Sequence, residues 1–322
     1  MSPDGWVVRE GGAADGARTV VLAAPRASCA GVERAVRTVE RVIARFGAPI
    51  YVRKQIVHNT HVVADLEHRG AVFVAELDEV PVGATVVFSA HGVPPAVRAT
   101  AAQRSLRVID ATCPLVSKVH AEARRFAESD YTIVLVGHSG HEEIEGTAGE
   151  APDRIRVVSG TADVEQLAID DPERVAYLTQ TTLAVDEARD TIAALRARFP
   201  ALDGPRTSDI CYATQNRQDA TKALAADCDL VLVIGSTNSS NSRRLVEVAE
   251  RHGAPAHLIE DESAVDRELI GAASRIGLTA GASAPESLVA RVLAALTALA
   301  PTRVEELRTA VEDVHFSPPP IE

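Results

Sequence analysis

Aromatic residues are scarce in this chain: one Trp, four Tyr and six Phe among 322 residues, with a single Met. A core of any size must therefore be built from small aliphatic side chains. Long apolar runs are missing as well, and nothing approaches the roughly 20 residues that a membrane-spanning helix needs. Positive charge is in deficit, with 33 Lys and Arg against 45 Asp and Glu and a net charge of −12. That excludes the broad basic surface through which proteins hold nucleic acid or an anionic membrane, so any anionic ligand has to be met by a local site. The first 18 residues are rich in Gly, Ala and Asp and lack the apolar centre of a signal peptide, and are expected to form a loose tail on a cytoplasmic protein. Four cysteines could pair as disulfides, but in a large chain expected to be cytosolic metal or redox chemistry is the better reading.

The chain does contain a steady alternation of short apolar strands and helical stretches, with 46% hydrophobic residues overall. Strands are expected around Val20, Ile50, Val72, Val86, Ile133, Val157, Ala176, Val231, Leu258 and Ile276. Helices are expected near 32–46, 61–69, 115–128, 216–226 and 285–299. Such alternation builds parallel sheets and an α/β fold.

Three cysteines recur within this pattern. Cys29 precedes Cys113 by 84 positions and Cys211 follows it by 98. Each stands in a turn-like context ahead of a helical stretch, and Pro114 suits the first position of a helix. Each is followed at the end of one strand by a polar loop (His58-Asn59, His138 to Glu143, Ser236 to Ser242) and at the end of a later strand by a second (His91-Gly92, Thr179 to Thr182, Thr279 to Ser283). A period near 90 residues is too long for a solenoid. The pattern predicts three similar α/β lobes, at 19–111, 112–209 and 210–300, arranged as a pseudo-threefold trefoil around a central iron–sulfur cluster. Residues 1–18 and 301–322 fall outside as a tail and a C-terminal segment. Ligands of open α/β sheets sit beyond the carboxyl ends of strands, where these loops lie.

Distant single cysteines do not make a zinc finger, whose ligands come in close pairs. Three soft thiolates on Cys29, Cys113 and Cys211 suit an iron–sulfur cluster in which one iron keeps an open position for a substrate oxygen. Cys228 has no counterpart in the other repeats and is expected to be structural. His58, His91 and His141 occupy strand-end loops, and Ser239, Ser240, Asn241 and Ser283 occupy the corresponding places of the third repeat. Together they offer short donors to a phosphate. Glu143, beside His141 and expected to face Thr181, would deliver protons if burial brings its pKa toward neutrality.

These stretches resemble a known family. Ser28-Cys29-Ala30-Gly31-Val32, Val57-His58-Asn59, Ser89-Ala90-His91-Gly92-Val93, Asp110-Ala111-Thr112-Cys113-Pro114, Gly137-His138-Ser139-Gly140-His141, Thr179-Gln180-Thr181-Thr182, Asp209-Ile210-Cys211-Tyr212, Ser239-Ser240-Asn241-Ser242 and Thr279-Ala280-Gly281-Ala282-Ser283 are similar, in unbroken order over about 20–299, to the 4-hydroxy-3-methylbut-2-enyl diphosphate reductases of the LytB family. The resemblance implies a [4Fe-4S] cluster on Cys29, Cys113 and Cys211. It implies a diphosphate held by His58, His91, Ser239, Ser240, Asn241 and Ser283, with His141, Thr181 and Glu143 at the hydroxymethyl end. The implied reaction removes the allylic hydroxyl as water with two electrons and two protons. It yields isopentenyl and dimethylallyl diphosphate, with ferredoxin or flavodoxin as electron donor. Glu142 departs from the family, which often has proline there, and is expected to point to solvent.

Two other readings share the motifs. A zinc hydrolase would use the same three thiolates, but thiolate donation damps the Lewis acidity that hydrolysis requires. A non-enzymatic cluster sensor or diphosphate-binding protein explains the cysteines and anion donors and leaves Glu143 and Thr181 without a task.

Overall fold

The computed structural model describes residues 6–8 and 18–321. Valine, isoleucine and leucine runs form three sheets whose strands are parallel, except for one antiparallel edge pair. The chain divides into two compact units. One takes in Tyr212–Val314, His58–Thr60 and the described part of Met1–Cys29; the other takes in Ala30–Val57, His61–Cys211 and the described part of His315–Glu322.

The second of these units holds two sheets. The first has the order Ala71–Val74, Ile50–Arg53, Thr85–Phe88, Arg107–Asp110. The other has the order Ile155–Val158, Thr132–Val136, Val175–Thr179, and a single bridge from Ala176 to Asp203 extends it by one more position. Alternate residues of Thr132–Val136 separate into two cores, as the two-residue period of a strand requires. Val134 and Val136 pack with Leu183, Leu195 and Phe199, while Ile133 and Leu135 pack with Val119, Ala123 and Phe126.

The six-stranded sheet of the other unit runs Trp6–Val8, Thr302–Arg308, Arg18–Ala24, Arg275–Ala280, Leu230–Ile234, Ala256–Ile259. Both its faces are covered, so its strands read as continuous apolar runs. Val20, Leu22, Leu232 and Leu278 meet Leu288, Val292 and Leu296 of the helix Glu286–Leu299. Val21, Val231 and Val233 meet Leu224 and Leu245 of the helices Tyr212–Ala225 and Ser240–Arg251.

The three sheets repeat one plan. In each, two adjacent inner strands run to the two polar loops, and the next position leads toward a cysteine. Asp110 leads to Cys113, the Asp203 bridge precedes Cys211, and Arg18–Ala24 leads to Cys29. The plan cuts across the lobe boundaries expected from the sequence. Arg18–Ala24, assigned there to a lobe at 19–111, is hydrogen-bonded between Arg275–Ala280 and Thr302–Arg308. The 301–322 segment thus contributes a strand to this sheet. Of the expected loose tail, Trp6–Val8 pairs antiparallel with Glu305 to Leu307, and the rest before Arg18 lies outside the described residues. Among the described residues no helix is long and apolar enough to cross a membrane.

Candidate functional site

Each of the three repeated cysteines has its backbone N–H fixed by a strand-end loop. Cys113 N–H donates to Ala90 O at 3.0 Å, Cys211 N–H to Thr181 O at 3.1 Å, and Cys29 N–H to Ala282 O at 3.1 Å. The same bond therefore recurs three times, tying each thiol to a loop that carries a proposed substrate residue: His91, Thr181 and Ser283. None of the three cysteines is in a disulfide, and all are half-buried. Cys113 is the N-cap of the helix Pro114–Glu128, and Cys29 and Cys211 immediately precede Ala30–Phe46 and Tyr212–Ala225. Cys228 is different: it packs into the six-stranded core, and burial pushes its thiol up to about 12. Three half-buried thiols at helix N-termini thus differ from one thiol held protonated in a core.

Residues inside and outside the motifs hold these turns. Asp110 Oδ1 accepts the Thr112 N–H at 2.9 Å, and Arg34 Nη1 donates to Thr112 O at 2.9 Å. Asp209 Oδ2 accepts the Thr179 N–H at 3.0 Å, and Lys118 Nζ lies 3.1 Å from Asp209 Oδ1. Arg217, wholly buried, donates from Nε and Nη2 to Ala27 O at 2.9 and 2.7 Å and from Nη1 to Glu312 Oε1 at 2.9 Å. Sequence reasoning missed Arg217. The available signal was an arginine at a position that continues the apolar face of its helix, between Ala213 and Ala220.

In the unit that carries Cys29, residues expected to hold the diphosphate gather at the start of the helix Ser240–Arg251. Ser239 caps it, accepting the Ser242 N–H at 3.3 Å. Ser239 Oγ lies 3.5 Å from Ser283 Oγ, and Ser283 Oγ donates to the backbone carbonyl of His58 at 2.9 Å. Asn241 Oδ1 accepts the Ala282 N–H at 2.8 Å, which orients its amide. Its Nδ2 is then a buried donor with no hydrogen-bond partner. Such a group costs free energy unless a ligand accepts from it, and the dipole of a twelve-residue helix favours an anion at this end.

The other unit assembles the groups suited to proton transfer. The His138 to Glu143 stretch was expected to be a loop, but a helix begins inside it, at Glu142–Ala148. Nδ1 of His141 caps it by accepting the Glu143 N–H at 3.1 Å, and Glu142, Glu143 and Glu145 in the first turn suit the dipole. Glu143 is 2% exposed, and Thr181 holds both of its carboxyl oxygens. The N–H donates to Oε1 at 2.6 Å and the hydroxyl to Oε2 at 3.0 Å. Burial pushes the Glu143 pKa up, outweighing the two Thr181 hydrogen bonds and the charges of His91 and His120. Glu142 does not point to solvent. Its Oε2 is 3.1 Å from Nδ1 of His91, which packs edge-on against His141 with ring centroids 5.7 Å apart. Glu145 is held low despite partial burial by Lys54 and Arg53, so the three glutamates of one helical turn have three different environments.

The arrangement thus puts His91, His141, Glu143 and Thr181 together in one unit and His58, Ser239, Ser240, Asn241 and Ser283 together in the other. A family model described as LytB protein matches residues 20–297. The chain is 56% identical over 305 residues to the 4-hydroxy-3-methylbut-2-enyl diphosphate reductase of Leifsonia xyli, covering 94% of this chain and 90% of that one. It is 57% identical over 312 residues to reductase 1 of Mycobacterium tuberculosis, covering 96% and 95%. The structure of the Plasmodium falciparum reductase superposes with a TM-score of 0.90 at 37% identity, covering 92% of this chain and 94% of that one. A second reductase structure, described as the terminal enzyme of the non-mevalonate pathway, gives 0.63 at 30% identity, covering 87% and 99%. The chain belongs to the LytB family, the family of the 4-hydroxy-3-methylbut-2-enyl diphosphate reductases.

Proposed function

We propose that this protein reduces (E)-4-hydroxy-3-methylbut-2-enyl diphosphate. Two electrons and two protons convert the substrate to isopentenyl or dimethylallyl diphosphate and one water, the last step of the methylerythritol phosphate route. Cys29, Cys113 and Cys211 would hold a [4Fe-4S] cluster. When bound, that cluster would supply electrons singly and, at the iron left open by three thiolates, Lewis acidity toward the allylic hydroxyl.

The chain's own residues account for the rest. Ser239, Ser240, Asn241, Ser283, His58 and His91 take the diphosphate, replacing the water that its charge would otherwise keep on a protein of net charge −12. Glu142 on Nδ1 of His91 orients that ring. Glu143 carries the proton that turns the departing hydroxyl into water, and Thr181 and His141 position it at the hydroxymethyl end. Ferredoxin or flavodoxin brings the electrons, and the protein works in the cytoplasm.

The observation that carries this reading is the buried Glu143 carboxyl. Both its oxygens are held by Thr181 and its proton affinity is raised by burial, in a chain closely related to the reductases over nearly its whole length. The test is anaerobic incubation of the iron- and sulfide-reconstituted protein with the allylic diphosphate and a chemical one-electron reductant. Accumulation of both five-carbon diphosphates supports the proposal. Intact substrate in the presence of fully loaded protein and excess reductant contradicts it.

A further inference from the structure

His120 belongs to none of the groups above, yet it is 4% exposed and stands two turns into the helix Pro114–Glu128 that Cys113 caps. Its Nδ1 lies 2.7 Å from Glu150 Oε1, and Arg124 Nη1 lies 2.8 Å from the other oxygen. Burial works to raise the Glu150 pKa, but the hydrogen bonds from His120 and Arg124 outweigh it and hold the carboxyl low. Glu150 comes just after the end of the helix Glu142–Ala148. The pair therefore ties the far end of the Glu143 helix to the Cys113 helix.

The other edge of the ring is wedged between two glycines. A Cβ on Gly92 would stand 3.1 Å from Cε1 and Nε2 of His120, and one on Gly146 would stand 3.2 Å from the same atoms. Gly92 follows His91 and has φ +79°, and Gly146 lies one turn beyond Glu143 on the same helical face. A Cβ on Gly146 would also come within 3.4 Å of the Gly92 carbonyl carbon, so helix and loop meet backbone to backbone with the imidazole filling the slot. His120 Nε2 is buried without a hydrogen-bond partner. An apolar ring would fill this slot without that cost, so the slot alone does not account for a histidine; the bond to Glu150 does.

We infer that His120, fixed by Glu150, is a positioning residue that sets the register of the Glu143 helix against the Cys113 helix and holds the His91 loop to it. What is positioned rests on the reductase reading; the contact itself does not. The experiment compares His120→Phe, which keeps a ring but loses the Glu150 bond, Glu150→Gln, which keeps the shape but loses the charge, and His120→Asn, whose amide can still reach Glu150. Reconstituted iron content should match the parent in all three. In His120→Phe, kcat should fall at least about tenfold with KM within about threefold, as expected for a donor displaced by a fraction of an ångström. Glu150→Gln should move the same way, and His120→Asn should recover part of the loss. Amide hydrogen exchange across 142–148 should quicken about tenfold in His120→Phe. Unchanged exchange in this segment overturns the inference, as does turnover within about twofold of the parent in both His120→Phe and Glu150→Gln. So does iron loss in proportion to the lost activity. If the parent itself turns over no diphosphate, the reductase reading has failed, and exchange alone then decides for or against the positioning role.

Discussion

Thr181 holds both carboxyl oxygens of Glu143, one through its backbone N–H at 2.6 Å and one through its hydroxyl at 3.0 Å. The N–H belongs to the same residue whose carbonyl fixes Cys211. One residue thus links the proposed proton carrier to a proposed cluster ligand, and Glu143 can keep its place in either protonation state. Replacement by Gln preserves an acceptor for the N–H and a partner for the hydroxyl but removes the transferable proton. Glu143→Gln should keep the parent's iron content and lose at least about a hundredfold in turnover, the ordinary worth of general acid catalysis. Near-parental turnover would remove Glu143 from the proton path.

The raised Glu143 pKa also makes a statement about stability. The folded protein binds the proton more tightly than the unfolded chain, whose carboxyl titrates near pH 4.3. Stability on this account is fully present below that value and declines as pH rises from there through the folded pKa. Glu143→Gln does not titrate, so its melting temperature should overtake that of the parent as pH increases. Melting curves of the two cluster-free proteins from about pH 5 to pH 8 test this. A gap that does not widen with pH contradicts it.

At Asn241, replacement by Asp tests the proposed diphosphate cradle more cleanly than replacement by alanine would. Asn241→Asp keeps the Oδ1 acceptor for the Ala282 N–H and replaces the unpartnered Nδ2 donor with an oxygen. Affinity for the allylic diphosphate should fall by at least about tenfold, the value of one charge-assisted hydrogen bond, with further loss from repulsion. Isothermal titration measures it, and unchanged affinity places the diphosphate elsewhere.

The four thiols should separate by reactivity in the cluster-free protein. With a pKa near 12, Cys228 has only about one thiolate in ten thousand at pH 8. Iodoacetamide should therefore label Cys29, Cys113 and Cys211 well before Cys228, read by peptide mass spectrometry. Cys228→Ala should leave iron loading unchanged, whereas Cys113→Ser should prevent stable loading.

Arg217→Met should cost about 3 kcal/mol, because it leaves the Ala27 carbonyl without its arginine donors and Glu312 without its cation. Since Ala27 lies two residues before Cys29, the variant should also release iron faster than the parent. Denaturant unfolding and the rate of iron loss to a chelator check the two halves.

What the sequence disclosed was whatever repeats locally. The valine-rich strands, the turn before each helix and the polar strand-end loops recur around Cys29, Cys113 and Cys211, so the α/β alternation and the position of the strand-end loops were legible without any distance information. The helix Glu142–Ala148 was not, because three of its seven residues are glutamates and only Ile144 and Ala148 carry apolar side chains, leaving no apolar period to read. Its start is set by the His141 cap instead. Glu142 was expected to face solvent, and nothing local announces its partner, since His91 is 51 residues away. The pairing of Arg18–Ala24 with Thr302–Arg308 is likewise non-local. The last strand's Thr-Arg-Val-Glu-Glu-Leu-Arg pattern alternates too weakly to announce a strand.

The central claim is that three thiolates leave one metal position open to substrate. Mössbauer spectra of protein reconstituted without air from iron-57 and sulfide, with and without the allylic diphosphate, test it most directly. The account predicts that about a quarter of the iron signal stands apart and shifts when substrate is added. Absence of iron, or four equivalent sites indifferent to substrate, would contradict it.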